Sequence, residues 1–132
     1  HGGKLIVLQQ SADNAVSTPM IAEYYRSVVA TLGEAITDET LRFYVGPGGS
    51  HNGGGVAQAD LLGLLESWVE EGISPSDEIP IHDIDPQTLE TRRSMVACVY
   101  PMYTHYNGTG DINDSDSYSC ADRNDPLAHG LE

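Results

Sequence analysis

Asp13 and His51 are the residues from which chemistry is most readily built: a carboxylate followed in chain order by an imidazole, each on a loop after a short apolar run. A carboxylate that fixes an imidazole's tautomer, and an imidazole that moves a proton, are the acid and base of nucleophilic acyl transfer. Free imidazole titrates close to neutrality, which suits that task at physiological pH. On residue type and spacing alone a plainer reading stands beside it, a turn aspartate capping its own backbone and a solvated loop histidine. The third participant, a nucleophile on a sharp strand-to-helix turn, is missing: no Gly-x-Ser-x-Gly occurs in the sequence. The nearest approach, Gly48-Gly49-Ser50-His51-Asn52, ends on asparagine and lies in a glycine-rich loop. Ser50 and Ser11 are therefore poor nucleophiles for a self-contained site.

Other side chains offer less. Asp111, Asn113, Ser115, Ser117, Ser119 and Asp122 fall near the oxygen spacing of a calcium loop, but Asp116 stands where that loop needs glycine and the last position is a short Asp rather than Glu. A hydrogen-bonded turn is the expectation there, and no metal or cofactor is expected anywhere in the chain. His82 and His105 have no partner at ligand spacing and read as structural or solvated. Asn107-Gly108-Thr109 and Asn113-Asp114-Ser115 are glycosylation sequons, meaningful only on a eukaryotic secretory route. Cys98 and Cys120 lie in a Tyr-, Gly-, Asn- and Ser-rich tail. Their even number and setting favour a disulfide closing a loop of about 20 residues, stabilising by roughly 3 kcal/mol, with two free thiols as the alternative. A bridge would imply an oxidising compartment, secreted or periplasmic.

The elements that must position Asp13 and His51 follow from hydropathy patterning. Lys4 to Gln9 contains the continuous apolar run Leu5 to Leu8, the signature of a strand buried on both faces. Thr18-Pro19 then reads as a helix N-cap and first turn, and Met20, Ile21, Tyr24, Tyr25, Val28, Val29 and Leu32 repeat on one helical face up to Gly33. A polar connection, Glu34 to Thr40, leads to a second strand, Leu41 to Val45, which runs into the glycine-rich turn Gly46 to Gly55. A second helix is expected from near Asp60 to Gly72, burying Leu61, Leu62, Leu64, Leu65, Trp68 and Val69. Strand, helix, strand, helix implies parallel strands, whose strand-to-helix loops leave one common edge of the sheet. The loops Gln10 to Ser17 and Gly46 to Ala59 should therefore be neighbours.

Beyond Ser74-Pro75-Ser76, Ile79 to Ile84 and Leu89 to Val96 read as a hairpin around Asp85-Pro86-Gln87-Thr88. The stretch from Cys98 to Cys120 reads as an irregular, bridge-stapled wrap over the body. Tyr24, Tyr25 and Trp68 read as core, and Glu70, Glu71, Asp77 and Glu78 as a solvated face. The organisation expected is an α/β unit over 1–76 carrying the Asp and His loops, a hairpin plus disulfide-closed tail over 77–121, and a frayed 122–132. His1 reads as an unnatural start and Leu131-Glu132 as a cloning scar.

Size and charge bound the function classes. At 132 residues the chain supports one core, and 20 Asp plus Glu against 6 Lys plus Arg give a net charge of -14. A surface this acidic repels phosphates and anionic headgroups, which argues against nucleic-acid and membrane-surface partners. No run approaches the roughly 20 apolar residues of a spanning helix, and the N-terminus shows no charged region followed by an apolar signal core.

Many short motifs in order carry a more specific signal. They are Gly3-Lys4-Leu5-Ile6 leading to Ala12-Asp13, the pair Tyr24-Tyr25, and Phe43-Tyr44-Val45-Gly46-Pro47-Gly48 running to His51 and Gly53-Gly54-Gly55. Leu65-Glu66-Ser67-Trp68-Val69-Glu70 with Gly72 and Pro75, then Asp85-Pro86, Thr91-Arg92 and Cys98 with Tyr100-Pro101 continue the series. Tyr106 with Gly108, Gly110-Asp111-Ile112-Asn113-Asp114 and Cys120 complete it. In these motifs the chain, from Gly3 to Ala121, resembles the C-terminal part of the tannase and feruloyl esterase family, which includes esterases acting on terephthalate monoesters.

The resemblance implies the C-terminal portion of an α/β-hydrolase fold, whose chain order of nucleophile, acid and histidine makes Asp13 the triad acid and His51 the general base. It also implies that Cys98 pairs with Cys120. The chain departs from the family pattern at Gln9-Gln10, where His-Gly is common, at Ser50, where Gly or Asp is usual, and at Asn52, where a Cys commonly follows the histidine. Family members are several times longer, and their serine and lid lie upstream of the matched part. The expected function is serine-type hydrolysis of aromatic-acid esters, with this chain supplying acid and base to a serine on an N-terminal segment or companion chain. The alternatives are a non-catalytic binding or assembly fragment, dimeric through an exposed sheet edge, and a minimal promiscuous esterase using Ser50 or Ser11.

Overall fold

The computed structural model describes residues 2–122. The readings of His1, of 123–132 as frayed and of Leu131-Glu132 as a scar lie outside the described residues. The elements in order are β1 (Leu5–Gln10), α1 (Thr18–Leu32), α2 (Glu34–Thr40), β2 (Leu41–Gly46), α3 (Leu61–Glu66), β3 (Glu78–Ile84), β4 (Thr91–Val99), β5 (Tyr103–Tyr106) and β6 (Tyr118–Ala121).

Four strands form one mixed sheet in the order β1-β2-β4-β3. β1 and β2 are parallel, from Leu5 opposite Leu41 to Gln10 opposite Gly46, so both strands end at the same edge. β4 runs antiparallel to β2 and to β3. Successive strand residues face opposite sides, and Phe43 and Tyr44 of β2 separate the two layers accordingly. Phe43 packs in an aromatic cluster with Tyr25 of α1 and with Tyr100, at ring-centroid distances of 5.7 and 5.3 Å. Tyr44 belongs to the core with Val56, Ile79, Ile81, Met95 and Ala97, against which Leu61 and Leu64 of α3 pack. Thus α1 and α3 cover opposite faces, the arrangement a parallel pair requires.

Proline in its first turn and Gly33, at φ 84°, delimit α1 as the sequence indicates, with Ser17 rather than Thr18 as the N-cap residue. Its buried side is narrower than the apolar periodicity suggests. Ala22 is buried and Ile21, Tyr25, Val28 and Val29 are half-buried, whereas Met20, Tyr24 and Leu32 are about half exposed. The expectation of a core role for Tyr24 is therefore corrected. The expected polar connection is the short helix α2. Its threonines close hydroxyl bonds onto the preceding turn, Thr37 Oγ1 to Gly33 O and Thr40 Oγ1 to Ile36 O, both 2.8 Å, which makes them compatible with a helix that carries no apolar stripe.

Asp60 caps α3 by accepting from the Gly63 N–H at 3.0 Å. After Glu66 the helix widens into one π turn, Ser67–Glu71, and stops at Gly72, whose φ of 73° is the left-handed conformation that favours glycine. The π turn shifts the side-chain register. Trp68 is buried, while Val69 is exposed on the other side and Leu62 is exposed before it, contrary to the expected apolar face.

The hairpin forms around Asp85, whose Oδ1 accepts from the Gln87 and Thr88 N–H groups. β4 starts at Thr91 rather than Leu89 because Leu89, at φ 61°, closes the turn. The tail is more regular than expected: β5 and β6 form an antiparallel ribbon, Tyr103 opposite Ala121 to Tyr106 opposite Tyr118. A disulfide joins Cys98 of β4 to Cys120 of β6. No helix among the described residues is long and apolar enough to cross a membrane.

Candidate active site

The parallel pairing delivers the two loops to one edge, where they are stitched together. Ser11 N–H donates to Gly46 O at 2.8 Å and Gly48 N–H donates to Ser11 Oγ at 3.1 Å. The neighbourhood expected of the two loops is what the fold produces.

Asp13 sits in a tight turn after β1, its own N–H donating to Gln10 O. Its Oδ1 accepts from the Ala15 and Val16 N–H groups at 2.8 and 2.9 Å, which fixes the carboxylate plane. Its Oδ2 lies 3.0 Å from His51 Nδ1. The Val16 N–H bond is the largest influence on the Asp13 carboxyl, followed by the His51 bond; burial opposes them more strongly than the Ala15 bond assists, and the net effect lowers the pKa to about 2. A carboxylate that remains ionised accepts only, so Nδ1 carries the hydrogen and Nε2 is left for proton transfer. The Asp13 side chain is 10% exposed and that of His51 is 48% exposed, so the acid is shielded while the imidazole faces outward.

The His51 loop holds its shape through its own backbone. Ser50 N–H donates to Gly54 O, Gly53 N–H donates to Ser50 O, and Gly54 N–H donates to Ser50 Oγ. Gly55 has φ 77°, and a Cβ there would lie 3.0 Å from Gly48 O, so close approach as well as conformation requires glycine. The returning chain is fastened to β3, with Gln58 and His82 exchanging backbone bonds and Gln58 Oε1 accepting from Ile84 N–H. His82 thus lies in a strand, and His105 is exposed on β5 beside Tyr103. Neither approaches the pair through any hydrogen bond among the described residues.

The hydroxyls of Ser11 and Ser50 both accept loop amides, and among the described residues no hydrogen bond joins either serine to His51. The Asp111–Asp116 stretch uses its carboxylates on its own backbone, Asp111 Oδ1 with Asn113 N–H and Asp114 Oδ1 with Asp116 N–H. No group of three or more His, Cys, Asp or Glu among the described residues is disposed to hold a metal ion. A groove of about 460 Å³ opens between the loops and the tail, lined by Ser11, Thr18, Arg26, Pro47, Tyr100 and Tyr103. Arg26 was not among the residues the sequence pointed to, and Gln10 entered only through the Gln9-Gln10 departure from the family motif. Gln10 lies beneath the His51 loop, against Gly46 and Gly49.

The chain matches the family described as tannase and feruloyl esterase over residues 1–121. It is 36% identical over 123 residues to an uncharacterised esterase of Agrobacterium fabrum, covering 92% of this chain and 22% of that protein. It is 33% identical over 124 residues to the mono(2-hydroxyethyl) terephthalate hydrolase of Piscinibacter sakaiensis, covering 92% and 20%. Among solved structures it superposes on an esterase from Aspergillus oryzae with a TM-score of 0.78 at 25% identity, covering 91% of this chain and 27% of the other. Feruloyl esterase B from the same species shares the fold with a TM-score of 0.77. The chain thus spans about a fifth of the length of the curated relatives it matches. A match running through both loops, the hairpin and the bridged tail shows that the chain belongs to the tannase and feruloyl esterase family, as a C-terminal part of its α/β-hydrolase fold.

Proposed function

We propose that this chain supplies the acid and the base of a serine-type carboxylic ester hydrolase acting on aromatic-acid esters, of hydroxycinnamate, gallate or terephthalate-monoester type. The observation that carries the reading is the 3.0 Å contact between Asp13 Oδ2 and His51 Nδ1 at one edge of the sheet. The substrate class is supported by relatives named feruloyl esterase and mono(2-hydroxyethyl) terephthalate hydrolase. The nucleophile and the oxyanion hole belong to a segment or chain that this sequence does not contain.

In this reading His51 Nε2 takes the serine Oγ proton as oxygen attacks the ester carbonyl, and the protonated ring then gives that proton to the departing alcohol. Water, deprotonated by His51, next attacks the acyl-serine and releases the acid, while the serine recovers its proton. Asp13 holds the Nδ1–H tautomer and stabilises the transient imidazolium. The disulfide supports an oxidising, secreted or periplasmic setting.

Exposed apolar groups support docking of a further segment. β1 is an edge strand among the described residues, and Leu5 on it is 47% exposed. Substituting His51→Ala in the ester-hydrolysing protein that carries this chain tests the reading. Hydrolysis of p-nitrophenyl acetate should be lost at unchanged elution volume, and full retention would refute it.

A further inference from the structure

Gln10 is 8% exposed, yet neither Oε1 nor Nε2 of its carboxamide has a hydrogen-bond partner among the described residues. Buried polar ends without partners cost free energy, on the order of 1–3 kcal/mol each, and are uncommon in folded proteins. The side chain therefore lies here despite its polarity, and its surroundings show what it does. Gln10 stands opposite Gly46 in the β1–β2 register, at the point where the His51 loop departs. A Cβ on Gly46 would come within 2.9 Å of Gln10 Oε1, and one on Gly49 would come within 2.5 Å of Cδ and 2.7 Å of Cγ. Gly49 is itself buried, and its φ is not in the left-handed region, so space alone dictates glycine there.

We propose that Gln10 is a positioning residue for His51: its buried side chain props the glycine-rich loop and sets the height at which the imidazole meets Asp13. The proposal rests on the reading of His51 as the base. A stretch with glycine at 46, 48 and 49 has little rigidity of its own, so the volume beneath it decides where it settles. Because neither end of the carboxamide has a hydrogen-bond partner among the described residues, volume and shape are what the side chain contributes to the loop. A near-isosteric apolar residue should therefore serve as well, and a truncation should not.

The test uses the ester-hydrolysing protein that carries this chain, with Gln10→Ala, Gln10→Met, Gly49→Ala and the Gln10→Ala/Gly49→Ala pair. The readouts are steady-state hydrolysis of p-nitrophenyl acetate and the low-field NMR signal of the His51 Nδ1–H. Gln10→Ala should shift that signal and lower kcat about 10- to 100-fold with KM within about twofold, since small displacements of a catalytic group carry penalties of that size. Gln10→Met should restore both. Gly49→Ala should disturb the signal while Gln10 is present and add nothing in the Gln10→Ala background, a coupling that a general loss of folding would not produce. An unchanged signal and kcat in Gln10→Ala, or a Gln10→Met protein as impaired as Gln10→Ala, would overturn the proposal. A His51→Ala control separates the two ideas. If it retains activity the assignment of the base fails, while the Nδ1–H signal still decides whether Gln10 sets the contact.

Discussion

The carboxylate of Asp13 is divided between two tasks: Oδ1 accepts the Ala15 and Val16 N–H groups, and Oδ2 accepts from His51 Nδ1 at 3.0 Å. The backbone bonds hold the acid still, so the direction in which Oδ2 points is set before the imidazole arrives. Turn-capping and imidazole-holding were alternatives in the sequence, and the structure has one side chain doing both.

The division predicts how conservative substitutions should behave. Asp13→Asn keeps one acceptor oxygen for the Ala15 and Val16 amides but can present an NH₂ to Nδ1, favouring the wrong tautomer. In the ester-hydrolysing protein kcat should fall by about 10⁴-fold with KM little changed. Measured kcat and KM for p-nitrophenyl acetate check this, and a KM effect at constant kcat would assign Asp13 to binding instead.

Acid titration gives an independent check of the same side chain. The Asp13 pKa is lowered from 3.8 to about 2, so its contribution to stability is complete above the higher value and disappears as pH falls through the lower one. Thermal melts of wild type and Asp13→Asn should therefore differ at pH 6, and the difference should shrink as pH falls toward 2 and vanish below it. A constant difference across that window would mean that the carboxylate charge contributes nothing.

The disulfide should stabilise without shaping the site. Cys98 and Cys120 are separated by 22 residues, and removing the bridge by Cys98→Ser/Cys120→Ser should cost about 3 kcal/mol in denaturant unfolding. Both cysteines lie outside the two loops, so the ester-hydrolysing activity of folded protein should be retained within about twofold. A selective loss of kcat in protein that remains folded would contradict this.

Gly55→Ala should act on the His51 loop. The left-handed φ of 77° and the 3.0 Å approach to Gly48 O oppose any side chain there, and a cost of about 1–2 kcal/mol is expected. Hydrogen exchange should quicken at Ser50, Gly53 and Gly54, whose N–H groups close the loop. Unchanged protection would show that the loop tolerates the substitution.

Much of this architecture was legible because the strands and the first helix announce themselves locally. Leu5 to Leu8 and Leu41 to Val45 are strand runs, Pro19 and Gly33 bracket α1, and parallel connectivity alone brings Asp13 beside His51. What escaped depends on tertiary surroundings. Glu34–Thr40 has no apolar stripe, and its threonine hydroxyl bonds exist only once the turn is formed. The exposure of Val69 lies within a π turn that a 3.6-residue period does not foresee, and Leu62 is exposed on the regular helix before it because the core takes only Leu61 and Leu64 from that turn. The tail pairs as β5 and β6 although its Gly, Asn and Ser content suggests irregular chain. Gln10 was read only as a departure from a family motif, since its place under Gly46 and Gly49 emerges from strand register rather than from sequence.

The proposed function requires Asp13 and His51 to act on a serine outside these 132 residues. Labelling the ester-hydrolysing protein with an alkyl fluorophosphonate, followed by peptide mass mapping, locates that serine. One labelled serine is expected, located outside this sequence, with labelling slowed by several orders of magnitude in His51→Ala. Label on Ser11 or Ser50, or labelling indifferent to the loss of His51, would contradict the proposed function.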